Sequence, residues 1–144
     1  MKELQYSIKI DASREKVWNT LWQDETFRIW ASVIDPETYM VGELKEGNEI
    51  QFISAANGYG VTSLVEKLID GEYLLLQHQA DTQNTGKDER EKQWTGGTES
   101  YKLVEEGGTT TLIAGCDVPP EMEEYFNETY PKAIEKIKEL AEKE

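Results

Sequence analysis

Apolar and polar side chains alternate over residues 4–10. A period of two residues is typical of a half-buried β-strand, so this segment is the first predicted strand. Ser13 follows it and can accept a hydrogen bond from the first turn of a helix that begins at Arg14. Asp24 stands in a similar position before a second apolar group. The sequence therefore predicts one strand followed by two short helices.

The middle of the chain alternates short apolar segments with polar or glycine-rich turns, which is typical of an antiparallel meander. The predicted strands are 38–43, 49–54, 60–69, 73–80, 93–104 and 109–116. Gly107 and Gly108 predict a tight hairpin turn, because glycine adopts positive φ at little steric cost. Gly96 and Gly97 predict a bulge or a close approach by the long helix. Residues 81–92 contain no large apolar side chain and predict a solvated loop.

The last part of the chain has a helical pattern. Its apolar residues lie three and four positions apart and are Met122, Phe126, Tyr130, Ala133, Ile134, Ile137, Leu140 and Ala141. This spacing predicts a long amphipathic helix. Pro131 cannot donate a hydrogen bond to the carbonyl of Asn127, so we expect a bend there or two helical pieces.

These elements predict an α+β fold in which a curved antiparallel sheet of about seven strands surrounds the long C-terminal helix. The two short helices after strand one would close one end. Because a curved sheet and a helix do not fit together along their whole length, we expect a cavity lined by aromatic side chains. The chain has 144 residues, so a single domain over 1–144 is expected.

Composition excludes several classes of partner. Lys and Arg total 15 against 29 Asp and Glu, which gives a formal net charge of −14. This charge disfavours nucleic acid and anionic membrane surfaces as partners. The single Cys116 excludes an internal disulfide and is compatible with a reducing compartment. No apolar run is long enough for a membrane helix, and the start lacks a signal-peptide pattern, so the expected location is cytoplasmic.

Four segments carry a family resemblance. The opening YSIKIDASREKVWNTLWQDETFRIW resembles the start of START-like, SRPBCC-type domains, in which a strand ends at a small-residue turn and a Val-Trp helix follows. The other segments are GYGVTSLVEKLIDGEYLLLQHQ, QWTGGTESYKLVEEGGTTTL and EYFNETYPKAIEKIKELAEKE. Together they resemble the subgroup related to the activator of the heat-shock ninety chaperone ATPase.

The resemblance covers essentially the whole chain and implies a helix-grip fold. Domains of this kind serve as carriers of lipids or hydrophobic ligands, polyketide cyclases, hormone receptors or chaperone partners. A shared fold does not choose among these tasks.

The leading interpretation is a domain that binds a small hydrophobic or amphipathic molecule between the sheet and the C-terminal helix. The candidate ligand-binding residues are Trp30, Phe52, Tyr59, His78, Trp94, Tyr101, Phe126 and Tyr130. No catalytic residue is assigned, because the sequence has no nucleophile-elbow motif. One histidine and one cysteine cannot supply a conventional zinc site, so neither a metal nor a cofactor is expected.

Two alternatives remain open. A chaperone accessory module is implied by the subgroup resemblance alone. A cyclase or dehydratase would use His78 with a pocket tyrosine or glutamate, and it requires the imidazole to point inward beside an ionisable partner. His78, the only histidine, could then titrate near neutral pH, or it could be a strand histidine satisfied by a neighbour. The oligomeric state is not predicted.

Overall fold

The structure is a computed structural model that describes residues 2–56, 58–83, 86–87 and 96–143. The elements within these residues are, in chain order, β1 (Lys2–Ile10), α1 (Arg14–Trp22), α2 (Asp24–Ala31), β2 (Thr38–Val41), β3 (Glu49–Ser54), β4 (Tyr59–Ile69), β5 (Tyr73–Gln83), β6 (Gly86–Lys87), β7 (Thr98–Glu106), β8 (Thr109–Val118) and α3 (Glu123–Glu142). A single 3₁₀ turn, Pro120–Met122, leads into α3.

The starts of the two short helices differ in how they are capped. The Ser13 hydroxyl accepts a hydrogen bond from the Lys16 amide at 3.2 Å, as predicted for α1. The prediction that Asp24 caps α2 is wrong, because Gln23 is the N-cap residue and its side chain makes no capping hydrogen bond. Asp24 is instead the first helical residue, and its carboxylate pairs with Arg28 at 2.9 Å. A negative charge in the first turn still stabilises the helix dipole.

The strands form one antiparallel sheet in the order β1-β8-β7-β5-β4-β3-β2, and the short β6 pairs with β5. This agrees with the predicted curved sheet of about seven strands. The β7–β8 hairpin turns through Gly107 and Gly108, whose φ angles of 61° and 84° are both positive. Both central residues of this tight turn thus require the left-handed region, which glycine adopts at little cost.

The predicted loop at 81–92 is wrong where the structure describes it, since β5 continues to Gln83 and Gly86–Lys87 forms β6. The rest of that segment and residues 93–95 lie outside the described residues. The strand predicted from 93 begins as β7 only at Thr98. Gly96 and Gly97, which precede β7, still form backbone hydrogen bonds with β5. The geometry of this pairing is not that of a regular strand.

The irregularity is a bulge at Gly96 and Gly97. The Gly96 amide donates to the His78 carbonyl, and the His78 amide donates to the Gly97 carbonyl, both at 2.9 Å. Two residues therefore oppose one, and Gly96 has a φ of 90°, as a glycine-containing bulge requires. A Cβ added at Gly96 would meet nothing within 4 Å, so a close approach by the helix does not explain this glycine.

Helix α3 lies against β1, α1 and α2. Its fully or nearly fully buried residues are Tyr130, Ala133, Ile134, Ile137 and Ala141. The helix does not divide into two pieces at Pro131, because α3 continues from Glu123 to Glu142 through the proline. The buried residues on both sides hold the helix together despite the missing hydrogen bond. A bend at this point stays a prediction.

Among the described residues, no helix is both long and apolar enough to cross a membrane.

Candidate ligand-binding site

A cavity of about 370 Å³ lies between the curled sheet, α2 and the first turns of α3. Small-molecule sites in proteins usually have volumes of about 300 to 1,000 Å³. The aromatic residues of its wall are Phe27, Trp30, Phe52, Tyr101, Tyr125, Phe126 and Tyr130. The polar or titratable residues of its wall include Asp35, Thr38, Ser54, His78, Glu99 and Cys116. The cavity wall thus combines seven aromatic side chains with several polar groups.

The structure brings most of the candidate residues together. The candidates that line the cavity are Trp30, Phe52, His78, Tyr101, Phe126 and Tyr130. Trp94 lies outside the described residues, and Tyr59 is described only as the first residue of β4. Contact of these side chains with a ligand stays a prediction.

The aromatic wall is built by residues three positions apart on α2. Phe27 and Trp30 meet edge to face with ring centroids 5.2 Å apart, and Phe27 contacts Phe52 of β3 at 5.6 Å. The Trp30 indole nitrogen donates to the Leu21 carbonyl at 3.1 Å. Because this polar atom is satisfied within the protein, the indole ring presents apolar surface to the cavity.

The position of His78 is fixed by irregularities on both neighbouring strands. The Gly96–Gly97 bulge opposes it on one side, and the β4–β5 register shifts between Thr62 and Ser63 on the other. Its side chain is 2% exposed. Nδ1 lies 2.7 Å from the Ser63 hydroxyl oxygen, and Nε2 lies 3.8 Å from Glu99 Oε1. The imidazole therefore points inward beside an ionisable group, as the enzyme alternative requires.

The charge state of His78 differs from the one considered in the sequence analysis. Burial lowers the pKa of His78 to about 4, and the negative charge of Asp117 opposes this only in part. This pKa lies below the neutral range that one of the two interpretations of His78 allowed. At pH 7 the ring is neutral, so it offers one hydrogen-bond donor and one acceptor.

Glu99 lines the cavity beside His78 and Tyr101. It was not among the predicted site residues. Glu99 lies opposite Cys116 in the register of β7 and β8. The Tyr101 hydroxyl donates a hydrogen bond to Glu99 Oε2. The hydroxyl oxygens of Tyr101 and Tyr130 lie 3.0 Å apart. A chain of hydrogen-bonding groups therefore runs from the carboxylate to α3. The Glu99 side chain is 22% exposed, and it lines the cavity.

Burial raises the pKa values of the acidic groups around Glu99. It raises the pKa of Glu99, while the hydrogen bond from Tyr101 acts in the opposite direction. Burial likewise raises the pKa values of Tyr101 and Tyr130 well above the usual tyrosine range. The pKa of the Cys116 thiol is also raised, mainly by burial and secondarily by the charge of Glu99. The phenols and the thiol are therefore neutral at pH 7.

A local signal could have revealed Glu99. In β7, Glu99, Tyr101 and Leu103 alternate with residues that face the other side of the sheet, and a period of two places all three on one face. No such signal exists for Tyr125. Its ring is 41% exposed, and its hydroxyl donates to the Ile34 carbonyl across the cavity wall, a contact that depends on the tertiary fold.

The described part of the chain holds no group of three or more metal-ligating His, Cys, Asp or Glu side chains.

A curled antiparallel sheet around a long C-terminal helix, with a cavity between them, defines the helix-grip fold. The chain has this fold. The solution structure of the Aha1 dimer from Colwellia psychrerythraea is similar, with a TM-score of 0.75 and 20% sequence identity, over 99% of this chain and 97% of that chain.

Two further solved structures show the same similarity. Protein MLL2253 from Mesorhizobium loti gives a TM-score of 0.73 at 13% identity, over 96% of each chain. CalU16 from Micromonospora echinospora gives 0.67 at 14% identity, over 97% of this chain and 76% of that chain. No protein-family model and no curated protein matches the sequence. At such identities the similarity shows the fold but not the function, which has to be inferred from the site.

Proposed function

We propose that this protein binds a small amphipathic molecule in the cavity between the sheet and α3. The observation that carries the proposal is a cavity of about 370 Å³ whose wall is mostly apolar and contains seven aromatic side chains. Three of its polar side chains, His78, Glu99 and Tyr101, lie together. A ligand with an apolar body and one polar end matches this division, because apolar burial contributes affinity and a few polar groups fix orientation.

A substitution that fills the cavity tests the proposal. Val61 lines the cavity from β4, so Val61→Trp should occupy the space that a ligand needs. We expect the neutral dye Nile red to bind the wild type with increased fluorescence and Val61→Trp to weaken binding by at least about tenfold, as lost burial of an apolar ring predicts.

Val104→Trp is the matched control for Val61→Trp. Val104 lies on β7 and is 45% exposed, so the same substitution there should leave dye affinity unchanged. Thermal melting of both variants would verify folding, and native mass spectrometry would count bound molecules. If no neutral apolar probe binds the wild type, or if both variants bind Nile red like the wild type, the proposal is wrong.

A proton-transfer enzyme of cyclase or dehydratase type is the second candidate. The observation in its favour is the inward-facing His78, whose Nε2 lies 3.8 Å from Glu99 Oε1. A neutral imidazole beside a carboxyl group can accept or relay a proton. The lowered pKa of His78 weakens it as a base at pH 7, and for this reason we place binding first.

The variant His78→Ala separates the two candidates. We expect affinity for an aryl β-hydroxy ketone to fall only a few-fold, as for one lost hydrogen bond of about 0.5 to 1.5 kcal/mol. We expect no dehydration of that ketone to the conjugated enone, followed by ultraviolet absorbance. Turnover by the wild type that falls about 100-fold to 10,000-fold in the variant, with unchanged affinity, would instead establish catalysis.

A chaperone accessory role has support only from the similarity to the Colwellia Aha1 structure. A pull-down from cell extract that fails to enrich the heat-shock ninety chaperone would end this alternative. A cytoplasmic location stays part of the proposal.

A further inference from the structure

The charged side chains that the structure describes in the cavity wall have one sign. Asp35 and Glu99 are both part of the wall. Among the described residues of the wall there is no lysine or arginine. Arg28 belongs to α2, which forms one side of the cavity, but it pairs with Asp24 on the surface at 2.9 Å.

The polar groups that the structure describes next to Glu99 do not supply a compensating positive charge. His78 is neutral at pH 7, and Tyr101 and Tyr130 are neutral hydroxyl groups. The hydrogen bond from Tyr101 satisfies one carboxylate oxygen of Glu99, while the other lies 3.8 Å from His78 Nε2. A mostly buried carboxylate in such surroundings gains most from a cation brought by a ligand.

We propose that the preferred ligand of this cavity carries a protonated amine at the end that reaches Glu99, and that molecules ending in a carboxylate are rejected. This inference rests on the proposed binding function. The ammonium group would lie against the Glu99 carboxylate, in a cavity whose wall includes the aromatic rings of Trp30 and Tyr101, and aromatic rings attract cations. An anionic end would add a second negative charge in a site of low dielectric, where like charges repel strongly.

A matched series of three ligands tests this charge preference. Naphthylmethylamine, naphthylmethanol and naphthoic acid share an aromatic body and differ in the charge of the polar end. We expect calorimetric titration at pH 7 to give the order amine, alcohol, acid, with at least about a tenfold difference between the first and the last. The alcohol measures binding without charge.

The variant Glu99→Gln should remove the preference. It keeps the size of the side chain, so we expect amine affinity to fall about tenfold and alcohol affinity to change less than about threefold. Glu106→Gln is the control, because Glu106 lies exposed at the end of the same strand. This substitution changes the net charge by the same amount as Glu99→Gln. If Glu99→Gln fails to fold, the three-ligand series on the wild type still decides the charge preference.

The outcomes are distinguishable. Acid binding as tight as amine binding, with the alcohol also bound, would overturn the charge inference and leave the binding function intact. An equal loss of amine and alcohol affinity in Glu99→Gln would also overturn it, since that result describes general damage to the cavity. If none of the three compounds binds the wild type or displaces Nile red, both the inference and the proposed function are wrong.

Discussion

A chain that ends at Asp117 should lose cooperative thermal unfolding and the native β signal in circular dichroism. Helix α3 supplies the buried side chains of Tyr130, Ile134 and Ile137, which are 2%, 5% and 0% exposed. Each contributes about 1.5 to 3 kcal/mol of burial free energy, whereas a whole domain has a stability of only about 5 to 15 kcal/mol. Without α3, the apolar inner face of the sheet is exposed to water.

Point substitutions provide the graded version of this experiment. Ile137→Ala should lower the free energy of unfolding by about 2 to 5 kcal/mol, because it leaves a cavity in the core. Glu135→Ala, at an exposed position two residues earlier on the same helix, should stay within about 0.5 kcal/mol of the wild type. Denaturant titration measures both values. Cooperative melting with native β circular dichroism in the truncated chain would contradict the packing described for α3.

The sequence predicts the order of elements well because the signals that define them are local. The alternation in β1 and the three- and four-residue spacing in α3 depend only on neighbouring side chains. The pair Gly107–Gly108 likewise predicts its turn because positive φ is a property of the residue itself. Given that order of elements, few packings bury both the concave sheet and the amphipathic helix, so the fold class follows.

The polar part of the site is less predictable because it depends on register. His78 approaches Glu99 only because a bulge at Gly96–Gly97 and the shift beside Ser63 fix the alignment of three strands. A displacement by one residue would turn each side chain to the opposite face. The lowered pKa of His78 also reflects burial by distant elements, which no local pattern reports.

The stability of the protein should decrease as pH falls from about 6.5 towards 4, and His78→Gln should remove much of this decrease. In an unfolded chain His78 has a pKa near 6.5, whereas burial lowers its pKa to about 4 in the folded protein. Between these values the unfolded state binds more protons, so the free energy of unfolding rises with pH. The contribution is fully present above pH 6.5 and is lost as the pH approaches 4. It corresponds to roughly 2 to 4 kcal/mol.

Glu99 has the opposite effect on the pH dependence of stability. The stability profile of the wild type alone therefore does not measure the contribution of His78. Because burial raises the pKa of Glu99, the folded state binds more protons above the ordinary glutamate range, and this contribution to stability is lost as pH rises. Asp117, Tyr101, Tyr130 and Cys116 are the other titratable groups around the pair. The difference in unfolding free energy between the wild type and His78→Gln largely cancels their common contributions.

Urea titrations of both proteins from about pH 7.5 to pH 4.5 measure that difference. Relative to the wild type, His78→Gln should become more stable by about 2 kcal/mol or more across this range, since glutamine fits a similar polar position but takes up no proton. Glu99→Gln should shift in the opposite direction, because it removes the carboxyl whose ionisation burial disfavours. A difference for His78→Gln that stays constant within about 0.5 kcal/mol would mean that the folded protein protonates His78 as readily as the unfolded chain does.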